Sequence, residues 1–417
     1  MKYRELERAK VLRHVSAGIV TGATLAAIGA VLIFAPVASA EKEAKSWFER
    51  IDFNGDFRAR DEVFVIDGMK DRHRLRYRLR LGADTEVNDH IAIGFRLATG
   101  SDANEGNQTL GDGQADRGPE GDEQTGIDFD PDGIFIDRAF LILKPHGNEK
   151  PMFGDSFDIT IGKMPNPFQP KGIGPSLLLW DGDQMPEGVA LSWGASPRDY
   201  WTRNLDVAYF VLDDNSDDSS INPSRDPAMI AVQMDEKVKL NDQVQFKSQV
   251  TYYAIRKLTN AYLRTVSNTD GLTSNNHLDL IEFHGGTTWA AHKKWPVTVW
   301  GNFVYNASAV GIGEGKQNMG FGVGIEAGNK GDFVNVGAAY FELEADAVPS
   351  SLYDSDVFDG GANGKTWLVY ATKQMWTNTD IDVRAYFTDQ LDKDVTALGG
   401  ATPNDRIRIQ TSIIVKF

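Results

Sequence analysis

The densest chemistry in this sequence is a set of arginines at every second position: Arg58 and Arg60, then Arg74, Arg76, Arg78 and Arg80, then Arg406 and Arg408. Spacing by two puts each set on one face of an extended strand, with neighbours about 7 Å apart at a rise of about 3.3 Å per residue. Adjacent guanidiniums then repel by about 2 kcal/mol at an effective dielectric of 20, and by about 0.6 kcal/mol in bulk water. Such a face is stable only toward water and counter-charge, and what it offers chemically is attraction of anionic groups. Acidic residues that could oppose it lie in residues 164–186 and just beyond. Pro165, Pro167, Pro170 and Pro175 stiffen this stretch, Gly172 and Gly174 let it turn, Leu177 to Trp180 supply an apolar anchor, and Asp181, Asp183 and Glu187 carry the charge.

Two other clusters invite a chemical reading. Asp128-Phe129-Asp130-Pro131-Asp132-Gly133 reproduces the first half of a calcium-binding loop, with oxygen ligands at alternate positions and a glycine for the turn. The twelfth position is Ala139 instead of Glu and the segment runs directly into a strand, so a helical calcium hand is excluded. A loop site for Ca2+ held by Asp128, Asp130 and Asp132 remains beside the plainer reading of a solvated acidic loop. His277, His284 and His292 are close in sequence, and His284 shares a strand face with Glu282. Their spacings fit neither a helical metal motif nor a hydrolase triad, so no enzyme is expected. The absence of cysteine removes disulfides, thiolate metal sites and cysteine nucleophiles.

The elements that must carry these residues follow from composition and periodicity. Hydrophobic residues make up 41% of the chain and the mean hydropathy is -0.34, which excludes a helical membrane protein. The net charge is -16 and no basic block is long enough for a nucleic-acid footprint. A transmembrane β-barrel is the membrane class that looks polar on average, because its strands alternate. Leu75, Tyr77, Leu79 and Leu81 oppose Arg74, Arg76, Arg78 and Arg80; Phe53, Phe57 and Ala59 oppose Asn54, Asp56, Arg58 and Arg60. Near the C-terminus Ile407, Ile409, Thr411, Ile413, Val415 and Phe417 oppose Arg406, Arg408, Gln410, Ser412 and Lys416. About sixteen such runs can be drawn, about 24 residues each with their connection, which accommodates spanning strands of about 9 to 11 residues. The runs 134–144 and 332–344 mix their faces, as a bulge or a buried patch would.

Long and short connections alternate. A polar loop near 61–70 is followed by a tight turn at 87–90, and the long loops 100–132 and 345–363 are expected outside the cell. Trp47, Trp193, Trp201, Trp289, Trp295 and Trp376 fall beside short turns, as an aromatic girdle at one membrane surface or as ordinary strand-end aromatics. Residues 1–40 combine a basic start, a mostly apolar run from Val15 to Phe34 and Ala38-Ser39-Ala40, which reads as a signal peptide cleaved after Ala40. An uncleaved inner-membrane anchor is the alternative. Residues 41–417 form the barrel domain and carry a net charge of -19.

At this point the residues resemble the outer-membrane porins of Gram-negative bacteria. The signal segment, the loop asymmetry and a final strand ending in Phe417 carry the resemblance over residues 47–417. Gly162-Lys163-Met164-Pro165-Asn166-Pro167-Phe168 is similar to a segment of the bacterial putative-porin family. The resemblance implies a 16-stranded antiparallel barrel, commonly a homotrimer, that passes small hydrophilic solutes passively; from its own residues, loop 164–186 is expected to be the third extracellular loop and to fold into the lumen. It further implies outer-membrane lipid and lipopolysaccharide as surroundings and Phe417 as the signal read by the barrel-assembly machinery. With Asp181, Asp183 and Glu187 facing the arginine wall across the lumen, the expected selectivity is weak and toward anionic or zwitterionic solutes. The alternative function is a structural barrel, an adhesin or the shell of a larger complex.

Overall fold

Strict alternation with β-branched and aromatic side chains on one parity suits a strand held between lipid and water. The computed structural model shows this over most of the chain. It describes residues 47–100, 106–111, 133–170, 172–175, 177–214, 226–257, 268–269, 271–272, 276–311, 315–354, 356–357, 361–395 and 405–417. The signal segment 1–40 lies outside them.

After a 3-10 turn at Trp47–Arg50 the chain runs through β1 (Ile51–Ile66), β2 (Arg72–Asn88), β3 (Ile91–Thr99), β4 (Gln108–Thr109), β5 (Ile134–Leu143), β6 (Ser156–Lys163), β7 (Glu187–Arg198) and β8 (Trp201–Val211). There follow β9 (Ala228–Lys239), β10 (Val244–Arg256), β11 (His277–Trp289), β12 (Val297–Asn306), β13 (Met319–Gly328), β14 (Asn335–Leu343), β15 (Gly364–Trp376), β16 (Thr379–Gln390) and β17 (Arg406–Lys416). Sixteen of these pair antiparallel in chain order, and β17 returns to β1 to close the barrel. The two-residue β4 adds to β2 from within the second loop.

The faces are inverted relative to a soluble protein. Ile409 on β17 is 41% exposed, whereas Arg408 and Gln410 beside it are 2% and 1%. Apolar residues therefore face lipid and polar ones the lumen. Both segments of mixed phase find their cause: β5 skips Asp137 in a register shift against β3, and β14 turns Ala339, Phe341 and Leu343 into a buried inner patch. At one end the connections are short, as at 89–90, 199–200, 240–243 and 377–378. At the other they are long, as at 100–133, 164–186, 212–227, 344–363 and 391–405. The first connection departs from expectation, because β1 continues to Ile66 and leaves only 67–71 as its turn.

A hydrophobic core sits inside the barrel. At the long-loop ends of β8 to β11, β14 and β15 the inward positions are apolar, including Phe210, Met229, Tyr253, Leu278, Phe341 and Leu368. They pack against Met164, Phe168 and Leu177 to Leu179 of loop 164–186, and against Val348, Tyr353 and Val357 of loop 344–363. Part of 345–363 is packed inside the barrel at its long-loop end: Val348, Tyr353 and Val357 have no exposure at all. Inward apolar positions have no lipid to face, so chain must cover them.

Candidate functional site

Three adjacent strands build a basic wall. β1 turns Arg58 and Arg60 inward, β2 does the same with Arg74, Arg76, Arg78 and Arg80, and β17 with Arg406 and Arg408. The register sets Arg58 opposite Arg78 and Arg60 opposite Arg76, which would be destabilising alone. Carboxylates on the same wall answer it. Glu62, wholly buried, accepts from Arg74 Nε at 2.5 Å, Arg408 Nη2 at 2.9 Å and Arg60 Nη1 at 3.3 Å, with Arg76 at 3.7 Å. Asp56 accepts from Arg80 Nε at 2.6 Å and Arg78 Nη2 at 2.9 Å.

The two inward loops supply the rest. Asp183 lies 3.1 Å from Arg78 and 3.6 Å from Arg80, and Asp356 lies 2.8 Å from Arg408 and 3.3 Å from Arg60. Burial alone would raise the Asp183 carboxyl, but the guanidiniums of Arg78, Arg58 and Arg80 outweigh it and hold its pKa below the usual aspartate value. The same balance lowers Asp356, with burial opposed by Arg60, Arg408 and Arg58. Arg58 differs from its neighbours. Its Nη2 donates to Asn107 Oδ1 at 2.5 Å, and among the described residues no carboxylate comes within 4 Å of it.

Loop 164–186 crosses the lumen between opposite walls. On the far side Lys247 Nζ of β10 donates to the Gly172 carbonyl at 3.0 Å, and Trp180 Nε1 donates to Tyr253 Oη at 3.1 Å. Tyr253 in turn donates to Glu282 Oε2 at 2.9 Å. Gly174 holds φ +51 with the Trp300 ring over it, and a Cβ there would lie 2.2 Å from the indole nitrogen. The loops are also latched to each other: Asp181 N donates to the Leu352 carbonyl at 2.8 Å, and Gln184 Nε2 to the Ser351 carbonyl at 2.7 Å. A cavity of about 830 Å3 opens on the long-loop side, lined by Arg78, Arg80, Lys163, Trp180, Asp183 and Glu187 among others.

The arginines of the sequence analysis thus lie together on one wall, but the acids are arranged differently from the transverse pair expected. Asp183 is bonded to the wall instead of standing across from it. Asp181 is 5% exposed within the loop junction and accepts from the Asp183 amide, while Glu187 pairs with Lys163 at 2.6 Å. Asp128, Asp130 and Asp132 lie outside the described residues. His284 is buried against Trp300, with ring centroids 5.9 Å apart. Phe417 continues the seam: its carbonyl accepts from Gly55 N at 2.8 Å, its amide donates to the Gly55 carbonyl at 3.1 Å, and a Cβ on Gly55 would lie 2.7 Å from its ring. Glu62, Asp56, Asp356 and Asn107 were not foreseen as parts of the site. Glu62 and Asp56 share the parity of Arg58 and Arg60, a usable signal that ending the strand at residue 60 concealed for Glu62. Nothing local marks Asp356, 296 positions from Arg60.

The putative porin family profile matches residues 64–290. No curated protein sequence matches the chain. Among solved structures, the high-pH structure of Pseudomonas putida OprB aligns with a TM-score of 0.55 at 11% identity, over 89% of this chain and 95% of that one. Salmonella typhi OmpF in complex with daunomycin aligns at 0.50 and 13% identity, over 88% and 97%. At these identities the likeness is one of fold. With more than half its length matched by the family and its strands closed into one barrel, the chain belongs to the putative porin family, an outer-membrane channel in place of an enzyme.

Proposed function

We propose that the barrel is a passive diffusion pore for small hydrophilic solutes and ions, with a weak preference for anionic or zwitterionic ones such as carboxylates or phosphate. One observation carries this reading: among the described residues, four carboxylates, Asp56, Glu62, Asp183 and Asp356, stand within 4 Å of Arg60, Arg74, Arg76, Arg78, Arg80 and Arg408, so the wall of eight arginines keeps an excess of positive charge. The net charge of -19 beyond residue 40 would favour cations at the mouth. Screening limits the reach of the loops to about 8 Å at physiological salt, so the charge nearest the narrowest passage dominates. The proposal includes a homotrimer in the outer membrane, contact with lipid and lipopolysaccharide, and reading of Phe417 by the assembly machinery. Calcium at Asp128, Asp130 and Asp132 is a further part of it.

Reversal potentials under a salt gradient test the mechanism. The double variant Arg76→Gln and Arg78→Gln should lower the anion-to-cation permeability ratio, and an unchanged ratio means the wall is not the selector. The apolar core inside the barrel favours a second reading, a closed structural shell. Purified protein that fails to conduct in a planar bilayer would support it.

A further inference from the structure

The Asp356 carboxylate stands where a solute anion would. It comes from a loop, while the groups that hold it belong to the barrel wall: Arg408 Nη2 donates to it at 2.8 Å and Arg60 Nη1 to both of its oxygens at 3.3 Å. Those two arginines are 2% and 6% exposed, whereas the Asp356 side chain keeps 22% exposure. Next to Arg60 on the same face, Arg58 is buried with its Nε unsatisfied and no carboxylate within 4 Å among the described residues. Guanidinium forks match the paired oxygens of carboxylate and phosphate. The wall therefore holds one half-filled oxyanion site whose present occupant is covalently tethered.

We propose that Arg58, Arg60 and Arg408 form an oxyanion-binding site on the pore wall, that Asp356 occupies it as an internal competitor, and that a solute bearing a carboxylate or phosphate group binds by displacing Asp356. This rests on the anion-preferring reading above. A tethered competitor lowers apparent affinity by the fraction of molecules in which the site is free, so removing it should tighten binding by the inverse of that fraction.

The test is calorimetric titration of the purified full-length protein in detergent, with inorganic phosphate and, separately, with succinate. Asp356→Asn and Asp356→Ala should each bind at least one of these anions at least tenfold more tightly than the unaltered protein. Adding Arg408→Gln to Asp356→Asn should abolish that increase, and the dication 1,4-diaminobutane should show none. Affinities within twofold of the unaltered protein for both anions in both Asp356 variants overturn the proposal, as does an equal increase for diaminobutane. Bilayer conductance of the same preparations is read independently. Failure to conduct potassium chloride overturns the pore, while the affinity comparison decides the competitor.

Discussion

Glu62→Gln is the sharpest probe of how the wall is held together. The substitution keeps the shape of the side chain and removes a carboxylate that Arg60, Arg74, Arg76 and Arg408 share at 2.5 to 3.7 Å. At about 3 Å and an effective dielectric of 20 each attraction is worth about 5 kcal/mol before desolvation. An amide keeps one acceptor but turns an NH2 toward guanidiniums, donor against donor. Removing one member of a buried ion cluster typically costs about 3 to 5 kcal/mol, because the remaining charges stay buried. The loss is concentrated at the barrel seam, since Arg408 comes from β17, Arg60 from β1, and Arg74 and Arg76 from β2. Urea unfolding of the detergent-refolded barrel should therefore show a lower midpoint at unchanged slope. Arg58→Gln is the control: it forfeits the Asn107 hydrogen bond but relieves repulsion from Arg78 directly opposite, so its cost should be about 1 kcal/mol or less. Glu62→Gln should also raise the anion-to-cation permeability ratio. The reasoning fails if Glu62→Gln unfolds within about 1 kcal/mol of the unaltered protein, or if Arg58→Gln is the more damaging of the two.

Three other outcomes are expected. Gly174→Val, which combines a positive φ with a clash against Trp300, should undock loop 164–186 and raise single-channel conductance while leaving the urea midpoint of the barrel nearly unchanged; equal conductance would mean the loop does not narrow the path. Deleting Phe417 should lower outer-membrane levels if the proposed reading of that residue by the assembly machinery holds, yet leave inserted protein as heat-resistant as before; undiminished levels would count against the assembly role. Asp183 has a folded pKa below the ordinary value of about 3.9, so its docking is fully present above that value and is lost as pH falls through the folded pKa. Conductance should accordingly hold steady from pH 7 to 5 and change below about pH 4. A transition above pH 5 that Asp183→Asn abolishes would contradict this.

Sequence alone determined the class of this protein because a barrel wall is written locally. Each residue between lipid and water is sorted by parity, so Leu75 to Leu81 against Arg74 to Arg80 declares a strand and its two faces without reference to the rest of the chain. Neighbour-to-neighbour connection makes the barrel nearly one-dimensional, and sixteen strands, their antiparallel order and the alternation of short and long connections were all legible. The exceptions are instructive. β1 appeared to end at residue 60 because Asp61 interrupts the apolar parity, yet Asp61 forms an outward pair with His73 and Glu62 continues the inward, polar parity. What only the tertiary structure decided is the inside. Tyr353, Val357 and Asp356 meet Tyr386, Arg408 and Arg60 by folding a loop through space that no periodicity describes. The physical reason is that lipid imposes one uniform demand along every strand, whereas the lumen imposes a separate demand at each point, set by whichever charge or apolar surface arrives from across the barrel.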